Sequence, residues 1–230
     1  MSMFPRLRVQ RCRHSGRSTV IRACPAPLWL VLLFVLAGRA WSADPELSAD
    51  PEQSGDRPSD AEIGEAHVYS TPDEAIREIF EGVAEVSRHR VGLTSDELAR
   101  IRAETGANAP TDTLDVLCPR DGTGALLGYA LVDEEVGKYR PITFLVGTRV
   151  DLAVEGVEVL VYRESRGGEV QKQRFLRQYR AKSADDPIRI NKDILNIAGA
   201  TLSVRALNLG VRRVLVSLEL LEGRGELPTS

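Results

Sequence analysis

The chain has 230 residues, 43% hydrophobic and 27% charged, with 30 Lys and Arg against 33 Asp and Glu. That composition supports a packed globular core. Residues 1–43 hold seven Arg and no acid, so the remainder carries a net charge of −10, which argues against nucleic acid or anionic lipid as a partner of the folded part.

The Arg-rich start leads into "LWLVLLFVLA", Leu28 to Ala37, and then the small-residue region Ala40-Trp41-Ser42-Ala43. A basic segment, a short apolar run and small residues predict a secretory signal peptide over residues 1–43, with an exported, periplasmic mature chain. The alternative is an uncleaved N-terminal anchor, although ten apolar residues fall short of the roughly 20 that span a bilayer. Cys12 and Cys24 precede the apolar run, so a cleaved chain keeps Cys118 alone and forms no internal disulfide. Residues 44–67 follow as an acidic spacer, with eight acids, one Arg and three Pro in residues 44–66, a composition that predicts disorder.

Folded structure is expected from near Val68. In "STPDEAIREIF", Ser70 or Thr71 can cap a helix that has Pro72 in its first turn. Ile76, Ile79, Phe80, Val83 and Val86 continue it as one apolar stripe at helical spacing. "TSDELARIRAETGA" repeats the pattern, with Thr94 or Ser95 as cap and Gly106 as stop, so residues 68–110 read as a helical segment. "TLDVL", "ALLGYALVDEE", "ITFLVGTRVD" and "VEGVEVLVYRES" are rich in β-branched and aromatic residues, with a turn at Asp121-Gly122. In the last of them Val157, Val159 and Val161 alternate with Glu158, Leu160 and Tyr162. The short gaps favour antiparallel neighbours. "GGEVQKQRFLRQYRAKS" returns to helical character, and "IRINKDILNIAG" reads as a short helix or turn. Val204, Leu207, Val211, Val214, Leu218 and Leu221 then recur at three and four, predicting a long C-terminal helix. The fold class is α+β, an antiparallel sheet with packed helices.

Candidate chemistry is sparse. Gly122, Gly124 and Gly128 have the wrong spacing for a dinucleotide loop, and a strand follows them. His14, His67 and His89 are scattered and have no ligand spacing, so no metal site is expected. The segment "IAGATLS" at the head of the last helix has two readings. Gly199 can make a sharp turn and Thr201 can cap the helix, which is a purely structural account. The same small residues also let a ligand approach the backbone, where first-turn N–H groups and the helix dipole favour a phosphate beside the Thr201 hydroxyl.

On this segment the chain resembles the FMN-binding domain family, which includes FMN-carrying subunits of sodium-pumping redox complexes and small exported flavoproteins. In that family the threonine of an S/T-G-A-T motif is esterified to the FMN phosphate by a flavin transferase. The resemblance assigns that role to Thr201, with Gly199 and Ala200 before it, Ser203 after it and Asp193 as the preceding acid. A second family element, E-T/S-x-G after a strand, is matched by Glu164, Ser165 and Gly167, with Arg166 between, and implies backbone and small side chains near the flavin ring. The implied FMN-binding domain covers residues 111–223. Two departures bear on attachment: Ala198 replaces the preferred hydroxyl residue, and Leu195 stands where many members carry an acid. The resemblance implies an exported electron carrier with FMN as cofactor, a flavin transferase as maturation partner, and a cytochrome or membrane electron-transfer complex as redox partner. The alternatives are a flavin reductase-like enzyme with non-covalent FMN and a flavin-free binding module of the same fold.

Overall fold

The computed structural model describes residues 65–229; the signal segment and nearly all of the acidic spacer lie outside them. Thr71 caps helix α1 (Pro72–Ile79) through a full capping box: its side chain accepts from the Glu74 N–H while the Glu74 carboxylate accepts from the Thr71 N–H at 2.8 Å. The helix stops at Ile79, short of the predicted stripe. Gly82 sits at φ +75°, and Val86 belongs to strand β2 (Glu85–Gly92). The apolar spacing from Ile76 to Val86 was therefore shared between two elements. Helix α2 (Ser95–Thr105) has the same capping-box start at Thr94 and Glu97, and it ends at Gly106 in the left-handed conformation.

Strands β3 (Thr113–Arg120), β4 (Tyr129–Val136), β5 (Pro141–Thr148) and β6 (Val154–Tyr162) continue the chain as an antiparallel meander. A two-residue strand β1 (His67–Val68) adds to β6, giving the order β1-β6-β5-β4-β3-β2. Residues 68–110 thus supply both helices and the edge strand β2, which pairs with β3 along its whole length.

Strand alternation gives the sheet two apolar faces. Leu117, Ala130, Leu145 and Leu160 face Ala75, Ile76 and Phe80 of the α1 region. Val116, Leu131, Phe144, Val146 and Val159 face the other way, against α2 and the C-terminal helix. After β6 the chain makes short helical turns, Gly168–Gln171, α3 (Gln173–Leu176) and Arg177–Tyr179, and then a long irregular loop. It ends in helix α4 (Thr201–Gly223), whose predicted stripe is buried at all six positions. At Gly210 the helix comes so close to the sheet that an added Cβ would lie 2.1 Å from the Phe144 ring. Among the described residues no helix is long and apolar enough to cross a membrane.

Candidate functional site

The end of β6 is set by a bulge. The register passes from Phe144↔Val159 to Thr143↔Val161 and skips Leu160. The simple alternation expected of β6 therefore breaks: Leu160 and Val161 pack with the α1 cluster, and Tyr162 turns onto the α4 side and is buried. Its hydroxyl donates to the Arg166 carbonyl at 2.5 Å and lies 2.9 Å from the Ser203 hydroxyl, which acts as donor because the tyrosine proton is already engaged. Burial, opposed by the Ser203 hydrogen bond and aided by the Glu164 and Glu169 charges, pushes the Tyr162 phenol up to about 12, so it stays protonated as a donor.

The next residues form the second predicted motif. Glu164 is only 7% exposed, and its Oε1 accepts from the backbone N–H groups of Lys138, Tyr139 and Arg140 at 2.5, 2.8 and 3.2 Å. Its carboxylate thus ties the β4–β5 turn to the end of β6. Gly167 sits at φ +87°, where a Cβ would approach the Ser203 Oγ to 2.6 Å and the Tyr162 hydroxyl to 2.7 Å. Only glycine suits that backbone and that space.

The loop before α4 is held by side chains. Asp193 accepts from the Ile188 and Arg189 N–H groups at 3.1 and 2.8 Å and pairs with Lys182 at 2.8 Å. Burial opposes its ionisation, but the Lys182 and backbone hydrogen bonds outweigh it and hold the carboxyl below its usual range. Asp193 is therefore a brace of the loop and not a wall of the cleft described below. Two residues on, the Leu195 N–H donates to Gln178 Oε1 at 2.7 Å, and the Leu195 side chain is 76% exposed. Asn196 Nδ2 donates to Thr201 Oγ1 at 2.9 Å.

The start of α4 bears on the structural reading of "IAGATLS": Gly199 makes the expected turn, at φ +82°. The N-cap residue is Ala200, and no side chain caps the helix. Thr201 is the first helical residue, so the reading of Thr201 as cap does not hold. Its hydroxyl instead accepts from Asn196, which leaves the hydroxyl hydrogen uncommitted among the described residues. First-turn N–H groups normally find a side-chain acceptor or another partner. Here they meet no capping side chain, and the positive end of a 23-residue helix dipole lies at the same place.

The two motifs converge. Glu164, Ser165, Gly167, Ala198 and Gly199, together with Tyr69, line one open cleft of about 460 Å³. Behind that wall Ala200 lies 3.6 Å from where a Gly167 Cβ would sit, and Ser203 is buried on Tyr162. The His67 and Tyr69 rings stack at a centroid distance of 6.3 Å on the cleft side of β1. These residues fit FMN. Thr201 is not in the cleft lining, which ends two residues before it at Gly199; the uncapped helix start and the Thr201 hydroxyl suit a phosphate, while the glycine turn and stacked rings suit a flat aromatic ring. Sequence reasoning missed Asn196 and Gln178 and read Tyr162 only as part of the β6 alternation. An amide five residues before the Thr was a visible signal, but the Tyr162 role depends on a bulge that the alternating pattern hides.

Compared with known proteins, residues 137–216 match the family model described as the FMN-binding domain. The match runs from the β4–β5 turn held by Glu164, through both motifs, into α4. No curated protein matches the chain.

Proposed function

Residues 137–216 are an FMN-binding domain, with FMN as cofactor, and on that premise we propose that the chain is an exported electron carrier with its flavin attached through a phosphoester to Thr201. The observation that supports this reading best is the meeting of the two motifs, 164–167 and 199–203, beside a helix start that no side chain caps. FMN supplies one- and two-electron redox chemistry; the protein supplies attachment, orientation and tuning of potential.

Each residue then has a stated task. Thr201 provides the hydroxyl oxygen, and Asn196 orients it. The N–H groups at the start of α4 face the phosphate charge. The turn at Gly167 offers backbone to the ring, kept open by the Tyr162–Ser203 pair behind it. Asp193 and Gln178 fix the loop that carries Asn196, and Glu164 fixes the floor. The signal-like start and the acidic spacer, outside the described residues, support export or anchoring at a membrane. A flavin transferase would mature the protein, and a cytochrome or membrane electron-transfer complex would exchange electrons with it.

The test is spectroscopic and kinetic. Protein co-produced with a flavin transferase should be yellow, keep its flavin through acid precipitation, and pass electrons to a haem protein after chemical reduction. Colourless protein would refute flavin binding. Yellow protein that releases all its flavin in acid and turns over a nicotinamide donor steadily would establish the reductase instead.

A further inference from the structure

A second cavity lies along α4. Its volume is about 350 Å³, it shares no lining residue with the cleft above, and three arginines line it: Arg189 from the loop, and Arg205 and Arg212 from the helix. Arg205, Asn208 and Arg212 fall at i, i+3 and i+7, one face of the helix. Neither Arg189 nor Arg205 has an acidic partner among the described residues. Arg212 donates through Nη2 to the Glu104 carbonyl at 2.9 Å, but its Nε is buried and has no hydrogen-bond partner. The nearby carboxylates are engaged elsewhere, Glu104 with Arg100 at 2.6 Å and Asp193 with Lys182 at 2.8 Å. Asn208 Oδ1 is occupied by the Tyr179 hydroxyl at 2.6 Å, so the amide presents donors only.

The Arg189 and Arg212 guanidinium groups repel one another, and the buried Arg212 Nε–H is desolvated without an acceptor. A guanidinium fork matches the oxygens of carboxylate and phosphate groups, and several forks around one space match an anion of more than one charge. We propose that this cavity binds a small multivalent oxyanion, a phosphate ester or a di- or tricarboxylate, held by Arg189, Arg205 and Arg212 with the Asn208 amide as a further donor. The site begins about 6 Å along the helix axis from Thr201, a separation that follows from the rise of about 1.5 Å per residue over four residues.

The test uses full-length, flavin-loaded protein titrated calorimetrically with inorganic pyrophosphate and, separately, with citrate, at constant ionic strength set by sodium chloride. Saturable binding of at least one probe is expected. Arg205→Gln, on an exposed position, should weaken it about tenfold or more while flavin content and melting temperature hold. Arg212→Lys, which keeps the charge but removes the fork, should weaken it less. Absence of saturable binding, or equal affinity in wild type and Arg205→Gln, would overturn the proposal. Binding by flavin-free protein that disappears on flavin loading would also overturn it, by assigning the arginines to the flavin itself.

Discussion

Gly167→Ala isolates the contact between the two motifs. The residue sits at φ +87°, and a methyl group there would meet the Ser203 Oγ at 2.6 Å and the Tyr162 hydroxyl at 2.7 Å. The left-handed backbone alone costs a non-glycine residue roughly 1–2 kcal/mol. Neither hydroxyl can swing away cheaply, because Ser203 is on a packed helix and Tyr162 is a buried ring bonded to the Arg166 carbonyl. Displacing one ends the Tyr162–Ser203 hydrogen bond, worth about 1 kcal/mol. The sum is about 2–3 kcal/mol, or about 4–12 °C in melting temperature for a domain of this size, where each kcal/mol shifts it by about 2–4 °C. Gly168→Ala is the internal control: its nearest neighbour would be the Tyr69 hydroxyl at 3.7 Å, an ordinary contact, so a change within about 0.5 kcal/mol is expected. Differential scanning calorimetry and visible absorbance of both variants measure stability and flavin occupancy together. A Gly167→Ala protein as stable and as fully loaded as wild type, or equal damage from Gly168→Ala, would refute the stated packing between the motifs.

Glu164→Gln keeps an acceptor but removes its charge from three N–H donors; a loss of about 1–2 kcal/mol is expected, read by urea denaturation. Arg213 is buried between Asp133 at 2.9 Å and Glu135 at 2.6 Å. Arg213→Ala should cost about 3–5 kcal/mol by leaving Asp133 buried and unpaired, and replacing both Arg213 and Asp133 with apolar residues should recover most of it. Asp193 titrates below its unfolded value, so its stabilisation is present above pH of about 4 and is lost as pH falls through the lowered folded value. The melting-temperature gap between wild type and Asp193→Asn should therefore be constant from pH 5 to pH 7 and close below about pH 4; a gap that stays open in acid would contradict the Lys182 pairing as its source.

The elements that were legible in the sequence are those built on local signals. Thr71 and Thr94 begin helices because their glutamates three residues on complete capping boxes, and the stripe from Val204 to Leu221 has no competing period. Strand β2 was hidden because Val83 and Val86 extend the α1 spacing by chance, while the polar run "SRHR" conceals an edge strand that is half open to solvent. The bulge at Leu160 was hidden for a different reason. It depends on the pairing of β6 with β5, and nothing local to "VEVLVY" records that register. In the site, Thr201, Gly199 and the 164–167 segment were visible as motifs; Gly199 and the 164–167 segment line one cleft, and Thr201, two residues on, is not in its lining. What could not be read was the division of labour within them: Glu164 and Asp193 spend their carboxylates on backbone N–H groups far away in sequence or across a loop, and Asn196, outside both motifs, is the residue that touches the Thr201 hydroxyl.

The measurement that bears most directly on the central claim is the intact mass of Thr201→Val beside wild type, each co-produced with a flavin transferase. Thr201 is not the helix cap, so the substitution costs only the exposed hydrogen bond from Asn196, about 1 kcal/mol, and the fold should survive. The account predicts one FMN residue of added mass and in-gel flavin fluorescence in wild type, and neither in the variant. Equal covalent flavin in both proteins would contradict it.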